Sequence, residues 1–273
     1  MTMQDPPGAP GPVSAYAADI VVCVRFFSRL ATALPDGFAR LAGRRRLVGA
    51  VRALPAASLL IALPGAVVIA VLVAIGIPPL ASAAAALAVT AIVTGALHED
   101  GLADVADGFF GGRDAEHRLT IMRDSRTGAF GALALALTVL MRASLVAGIA
   151  LEAGPIAAAA GLLAASVGGR IALLWPWLAT PPARADGLAR LVGKPDSGAA
   201  RVAALTGAVI VFLLTLGFAP LAVIPAAVGV VLAGWGLSVA ARRQIGGHTG
   251  DVLGASEQLA EIAVLAAITM SLT

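Results

Sequence analysis

The sequence predicts an all-α, polytopic membrane helix bundle of about seven spans, with an N-terminal interfacial or packed helix. Three observations predict it. Of 273 residues, 59% are hydrophobic and only 13% are charged, where an ordinary soluble domain is about a quarter charged. The mean hydropathy of +0.92 would oblige a water-soluble fold to expose more apolar surface than such folds tolerate. The apolar residues also fall into long runs separated by polar segments. The same composition excludes disorder, which needs a polar, charged chain. A single cysteine, Cys23, excludes a disulfide framework and a zinc-finger site. With aromatic residues at 4%, a base-stacking surface has no support, so no nucleic-acid partner is expected.

Residues 1–14, rich in Pro and Gly, read as a mobile leader without the basic-then-apolar order of a cleavable signal. Residues 15–273 are expected to form a single integral-membrane domain. Its first stretch, 15–34, mixes apolar positions with Asp19, Arg25 and Arg29, which suits a helix at the interface or packed on the bundle. Seven apolar runs follow, at 54–76, 80–97, 129–151, 155–179, 202–217, 219–239 and 256–272. Crossing ~30 Å of hydrocarbon takes about 20 helical residues. The first run meets that length, whereas 202–217 and 256–272 must draw on their flanks. Small residues dominate these runs and permit close approach of the backbones.

If all seven runs span, residues 1–53, 98–128, 180–201 and 240–255 share one side and hold 17 of the 19 Lys and Arg residues. The positive-inside rule places that side in the cytoplasm, which makes the cell membrane the expected location and the lipid bilayer a partner. Monomer and homo-oligomer both remain open. The two remaining basic residues, Arg142 and Arg170, stand inside spans, where a charge faces a cavity or a partner. Arg142 reads as a structural pair. Arg170, which follows Gly168 and Gly169, reads equally as a structural pair or a ligand contact.

The most informative stretch is His98-Glu99-Asp100-Gly101-Leu102-Ala103-Asp104-Val105-Ala106-Asp107-Gly108. Asp100, Asp104 and Asp107 are spaced i, i+4, i+7, which puts them within about 60° on one helix face. Such a poorly solvated row of like charges suits Mg²⁺, a hard cation that binds a few carboxylates together with substrate phosphates. In Met122-Arg123-Asp124-Ser125-Arg126-Thr127-Gly128, the two arginines present forks of donors suited to phosphate oxygens. Asp124 supplies a further ligand or orients an arginine. A third cluster, Gly246-Gly247-His248-Thr249-Gly250-Asp251, offers glycine backbone that approaches a phosphate closely, with His248 and Asp251 as polar contacts or proton carriers. These residues alone suggest a metal-dependent transferase acting on a phosphate or diphosphate at the cytoplasmic surface. No Gly-Lys-Ser/Thr phosphate loop is present, so ATP hydrolysis lacks support. A cation-coupled transporter is the rival from another class, but acids clustered at one end and the lack of a repeat favour an enzyme.

The segments Gly95–Gly108, Met122–Gly128 and Gly247–Gly254 closely resemble the signature of the cobalamin 5′-phosphate synthase family, also called adenosylcobinamide-GDP ribazoletransferases. Weaker echoes occur at Arg25–Leu30 and Ala183–Leu188, and the matches run in family order from about residue 24 to 265. The resemblance implies joining adenosylcobinamide-GDP to α-ribazole or its 5′-phosphate, with Mg²⁺ and release of GMP. It further implies attack by the 5′-linked oxygen on the phosphorus nearer cobinamide. Asp100, Asp104 and Asp107 would hold the metal, and Asp104, Asp107, Arg123, Asp124, Arg126 and His248 would form the catalytic set. His98, Arg170, Gly247, Thr249 and Asp251 would contact substrate. Asp104-x-x-Asp107-Gly108 is also similar to the opening of the CDP-alcohol phosphotransferase motif. Phe109-Phe110-Gly111-Gly112 follows it here and the later Asp pair is missing, so that likeness ends with related metal chemistry.

Overall fold

The computed structural model describes residues 11–30 and 46–272, and no strand forms among them. Residues 1–10 of the expected leader and 31–34 of the expected first helix lie outside the described residues. Helix α1 (Pro12–Phe27) takes in the end of the leader and buries Ala18, Asp19, Cys23, Val24 and Phe27. Its buried Asp19 accepts from Arg52 Nε at 2.7 Å. Of the two expectations for this helix, the packed one holds.

Helix α2 (Leu47–Ala50), a 3-10 turn (Val51–Ala53) and α3 (Leu54–Ala74) make one 28-residue apolar segment. Helix α4 (Pro79–Thr94) returns beside it. The expected run 80–97 is cut short at Thr94, because Gly95 (φ 70) and Ala96 (φ 55) are both left-handed. They turn the chain by 91° into α5 (Leu97–Gly111), which carries the acidic motif. Alanine in that conformation costs about 1–2 kcal/mol, so the elbow is held by its surroundings. A Cβ on Gly95 would collide with the Arg29 side chain.

Helix α6 (Ala115–Ile121) starts on Asp114, which accepts from the His117 amide at 2.8 Å. Helix α7 (Ala129–Ala172) is two arms joined by non-helical Gly154 (φ 86) and Pro155. The arms fold back on each other: a Cβ on Gly161 would lie 3.0 Å from Ile149 Cδ1. Helices α8 (Leu174–Ala179), α9 (Leu188–Val192) and α10 (Ser197–Thr215) follow, the last capped by Asp196 at 2.7 Å from the Ala199 amide. Helices α11 (Val223–Ile245) and α12 (Gly250–Met270) complete the bundle. Among the described residues, five segments are long and apolar enough to cross a membrane, six if the bent α4–α5 pair is one span. Helix α7 lies in one of these segments, and Gly154–Pro155 divides it into two arms.

Helix α12 is the central one, 67% buried over its apolar window against 22–39% for the other four segments. Small residues let its neighbours close in. A Cβ on Gly168 would meet Val264, and one on Gly229 would sit 2.6 Å from Ala263 Cβ. The outer faces are apolar at helical spacing: Leu60, Leu63, Val67 and Val71 on α3, and Leu205, Val209 and Leu213 on α10, are all exposed. Such stripes fit acyl chains and would be an aggregation surface in water.

Charge enters this interior as a connected set. Arg142, on the first arm of α7, reaches Gln258 Oε1 at 2.8 Å, Glu99 Oε1 at 3.2 Å and the Glu261 carboxylate. Arg170, on the second arm, bonds Ser166 and lies 3.5 Å from Glu257 Oε1. His98 Nδ1 is 3.2 Å from that same oxygen. The set ties α5 and both arms of α7 to α12.

The charged segments gather at one end of the bundle, where Arg184 donates to Leu119 O at 3.0 Å and Arg242 to Ala179 O at 2.7 Å. Cysteines placed at exposed Arg113, Ala185 and Arg243, in a background lacking buried Cys23, should therefore label from one membrane face. Cysteines at exposed Gly76 and Glu152 should label from the other. Any of the first three labelling with the second pair would refute the single-ended arrangement.

Candidate active site

The acidic face of α5 is graded in depth: Asp100 is exposed, Asp104 half-buried and Asp107 buried. Two glycines seat α5 on the start of α12. A Cβ on Gly101 would lie 2.9 Å from Asp251 Cα, and one on Gly254 would lie 3.1 Å from His98 Cα. The acidic motif and the third motif thus meet backbone to backbone. The third motif is also stitched to the segment after α8: the His248 amide donates to Pro181 O and the Ala183 amide to His248 O, each at 2.8 Å. Gly247 permits this, since any side chain there would strike the Pro181 carbonyl.

A cleft of about 300 Å³ opens where these pieces join. Its polar wall includes His98, Asp100, Arg184, His248, Thr249 and Asp251, and its apolar wall Phe26, Phe27 and Trp177. Thr249 caps α12 at the Val252 amide and bonds Asp251 Oδ2 at 3.0 Å. Asp104 feels the charges of Asp251, Asp100 and Asp107, with Arg184 opposing them.

The expected site residues do not all converge. Asp107 is engaged by the chain itself: its two carboxylate oxygens accept from the Gly128 and Gly131 amides at 2.7 and 2.8 Å, closing the start of α7. Arg123 bonds Asp186 at 2.7 Å and Arg126 bonds Asp124 at 2.6 Å, and both pairs lie outside the cleft lining. Asp124 takes the orienting one of its two readings, and Arg126 holds its carboxyl down at about 2. Arg170 is enclosed in the bundle as a structural pair for Glu257, outside the cleft lining. The guanidinium that does line the cleft is Arg184, from the weaker echo at 183–188.

Sequence reasoning missed Glu257, Gln258 and Glu261, which were absorbed into the apolar run 256–272. The available signal was two acids at i, i+4 in a span, matching two intramembrane arginines elsewhere. It also missed Thr180 and Trp177, which nothing local marks.

Among the described residues, no group of three or more His, Cys, Asp or Glu is arranged to hold a metal ion by itself. Mg²⁺ usually takes one or two carboxylates and completes its shell with water and substrate phosphate. Asp100 and Asp104 have that character, with Asp107 already engaged.

Residues 19–269 match the family described as cobalamin-5-phosphate synthase. The chain belongs to that family. Its relatives include adenosylcobinamide-GDP ribazoletransferases of Rhizobium etli strain CIAT 652, 42% identical over 95% of this chain and 99% of the relative. The enzyme of that name from a Sinorhizobium species is 46% identical over 83% and 87%. That from Azorhizobium caulinodans is 43% identical over 92% and 95%. No solved structure matches. The cobalamin-biosynthesis transferase expected from the motifs is the family found.

The two carboxylates of α5 should separate in their effects. Asp107→Asn leaves one buried amide without an acceptor and should cost about 1–3 kcal/mol, read as a lower unfolding temperature in detergent. Asp104→Asn removes a like charge and should leave stability unchanged or slightly raised. Equal destabilisation by both would overturn the capping role of Asp107.

Proposed function

We propose that the protein transfers the cobinamide phosphate of adenosylcobinamide-GDP to α-ribazole or its 5′-phosphate. The products are adenosylcobalamin or its 5′-phosphate and GMP, formed with Mg²⁺ at the cytoplasmic face of the cell membrane. What carries this reading is that four of the five family-matching segments (25–30, 95–108, 183–188 and 247–254) line one cleft, with carboxylates and Arg184 among the lining residues. The cytoplasmic side rests on the 17 of 19 basic residues placed there by the positive-inside rule.

Asp100 and Asp104 would hold the metal, which when bound neutralises diphosphate oxygens and the departing GMP phosphate. Arg184, inside the cleft, directs its fork at the diphosphate, while Arg123 and Arg126 add positive charge beside it. Phe26, Phe27 and Trp177 cover an apolar portion of the donor and exclude water. Thr249 and Gly247 shape the backbone facing the phosphates. One expectation changes here. A family named for making cobalamin 5-phosphate leaves the 5′ position of ribazole outside the new linkage, so the nucleophile is another ribose hydroxyl and not the 5′-linked oxygen.

Purified protein in detergent should release GMP only when both substrates and Mg²⁺ are present, and EDTA should stop it. Asp104→Asn should lower turnover on the order of a hundredfold, with partial recovery at high Mg²⁺. No GMP from the wild type under these conditions would sink the reading. Among the arginines, Arg184→Ala should lose more turnover than Arg126→Ala, because only the first lines the cleft. The reverse ranking would move the diphosphate to the 123–126 segment.

A further inference from the structure

Beside the main cleft lies a second cavity of about 310 Å³, bounded by Trp177, Thr180, Pro181, Pro182, Lys194 and His248 among others. The two cavities share two walls, Trp177 and His248. Their chemistry differs. The first carries carboxylates and an arginine, whereas the second is lined by Trp177, two prolines, Thr180 and His248, with the exposed Lys194 as its one fixed charge and no carboxylate. A transferase must seat two substrates side by side, with the reacting oxygen at their boundary. We infer that the second cavity is the acceptor site for the ribazole nucleoside, and that His248 in the shared wall takes the proton of its attacking ribose hydroxyl. This inference rests on the function proposed above.

The hydrogen bonds of His248 leave one tautomer. Thr180 Oγ1 donates its proton to Pro176 O at 2.9 Å, so towards His248 Nδ1, 3.0 Å away, it can only accept. The Thr180 carbonyl, also 3.0 Å from Nδ1, accepts as well. Both contacts require the proton on Nδ1, which leaves the lone pair on Nε2. That nitrogen is buried and has no hydrogen-bond partner. Burial also pushes the imidazole below its ordinary value, so the ring is neutral and basic at pH 7. The charged or titratable groups that line the two cavities with it are His98 and Asp100 from α5, Arg184 from the segment after α8, Asp251 from α12 and Lys194 from the far cavity. Thr180 is a positioning residue in this scheme, since it acts only through the ring.

In the step itself, the ribose O–H gives its proton to Nε2 as the oxygen bonds to the cobinamide-side phosphorus. The bond from that phosphorus to the bridging oxygen breaks, and its electron pair leaves with GMP. The imidazolium then returns its proton to water. Lys194 faces the acceptor's 5′-phosphate when there is one.

Steady-state GMP release with each acceptor tests both halves. His248→Ala should lower kcat on the order of a hundredfold while still binding the coloured donor adenosylcobinamide-GDP, which shows that it is folded. In the wild type, rate should fall with acidification only below His248's depressed value, and His248→Ala should lack that acid limb. Thr180→Val should lower kcat by less and leave KM for the donor unchanged. Lys194→Ala should raise KM severalfold for α-ribazole 5′-phosphate and leave KM for α-ribazole and the donor unchanged. A His248→Ala enzyme with wild-type kcat, or with its acid limb intact, would overturn the base. Equal effects of Lys194→Ala on both acceptors, or on neither, would overturn the acceptor site. Wild-type protein that releases no GMP would instead overturn the proposed function.

Discussion

An ion between apolar helices costs several kcal/mol unless a counter-charge and hydrogen bonds meet it, and this bundle holds two guanidiniums that way. Arg142 and Arg170 sit on opposite arms of one reversed helix, and their partners Glu257, Gln258 and Glu261 all lie on α12. The arms can therefore take only positions that bring both arginines to the same helix face. Glu99 and His98 extend the set to α5, so the acidic helix is placed by the same condition. Removing one partner would leave a buried charge uncompensated, a loss of about 3–5 kcal/mol. In lipid, where apolar contact alone discriminates weakly between helix partners, this ionic agreement specifies register.

Ion pairing at these distances needs backbones that come close, and the sequence supplies glycine where they do. Gly169 faces Glu257 and Glu261, with no room for a Cβ. Gly101 and Gly254 bring α5 onto the start of α12. The left-handed pair Gly95–Ala96 then swings the acidic helix out of line with α4. Asp107 closes the far end of that helix by holding the Gly128 and Gly131 amides. The cleft is what remains between these attachments: one polar wall from α5 and α12, one apolar wall from α1 and α8.

Much of this was legible in the chain, and the parts that were not share a cause. The span pattern, the single charged end and the one-sided row Asp100, Asp104 and Asp107 all follow from periodicity, because a helix repeats and a bilayer has a thickness. Arg142 was read as a structural pair without its partners being named. Arg123 and Arg126 look like the phosphate-binding arginines in sequence, yet the fold ties them to Asp186 and Asp124 and puts Arg184 in the cleft. Asp107 shows the same limit, since spacing places a carboxylate on a face but cannot say that two amides 21 and 24 residues later will claim it.

The sequence by itself determined the class, the family and most of the segments that line the cleft, since each depends on composition, local period or motif. Only the tertiary structure decided which member of each segment does what. It assigned Arg170 to Glu257, Asp107 to the start of α7, and Nδ1 of His248 to Thr180, which lies 68 residues earlier. These outcomes turn on single hydrogen bonds between residues far apart in the chain. No local pattern encodes such a bond, because its partner is set by how the helices pack.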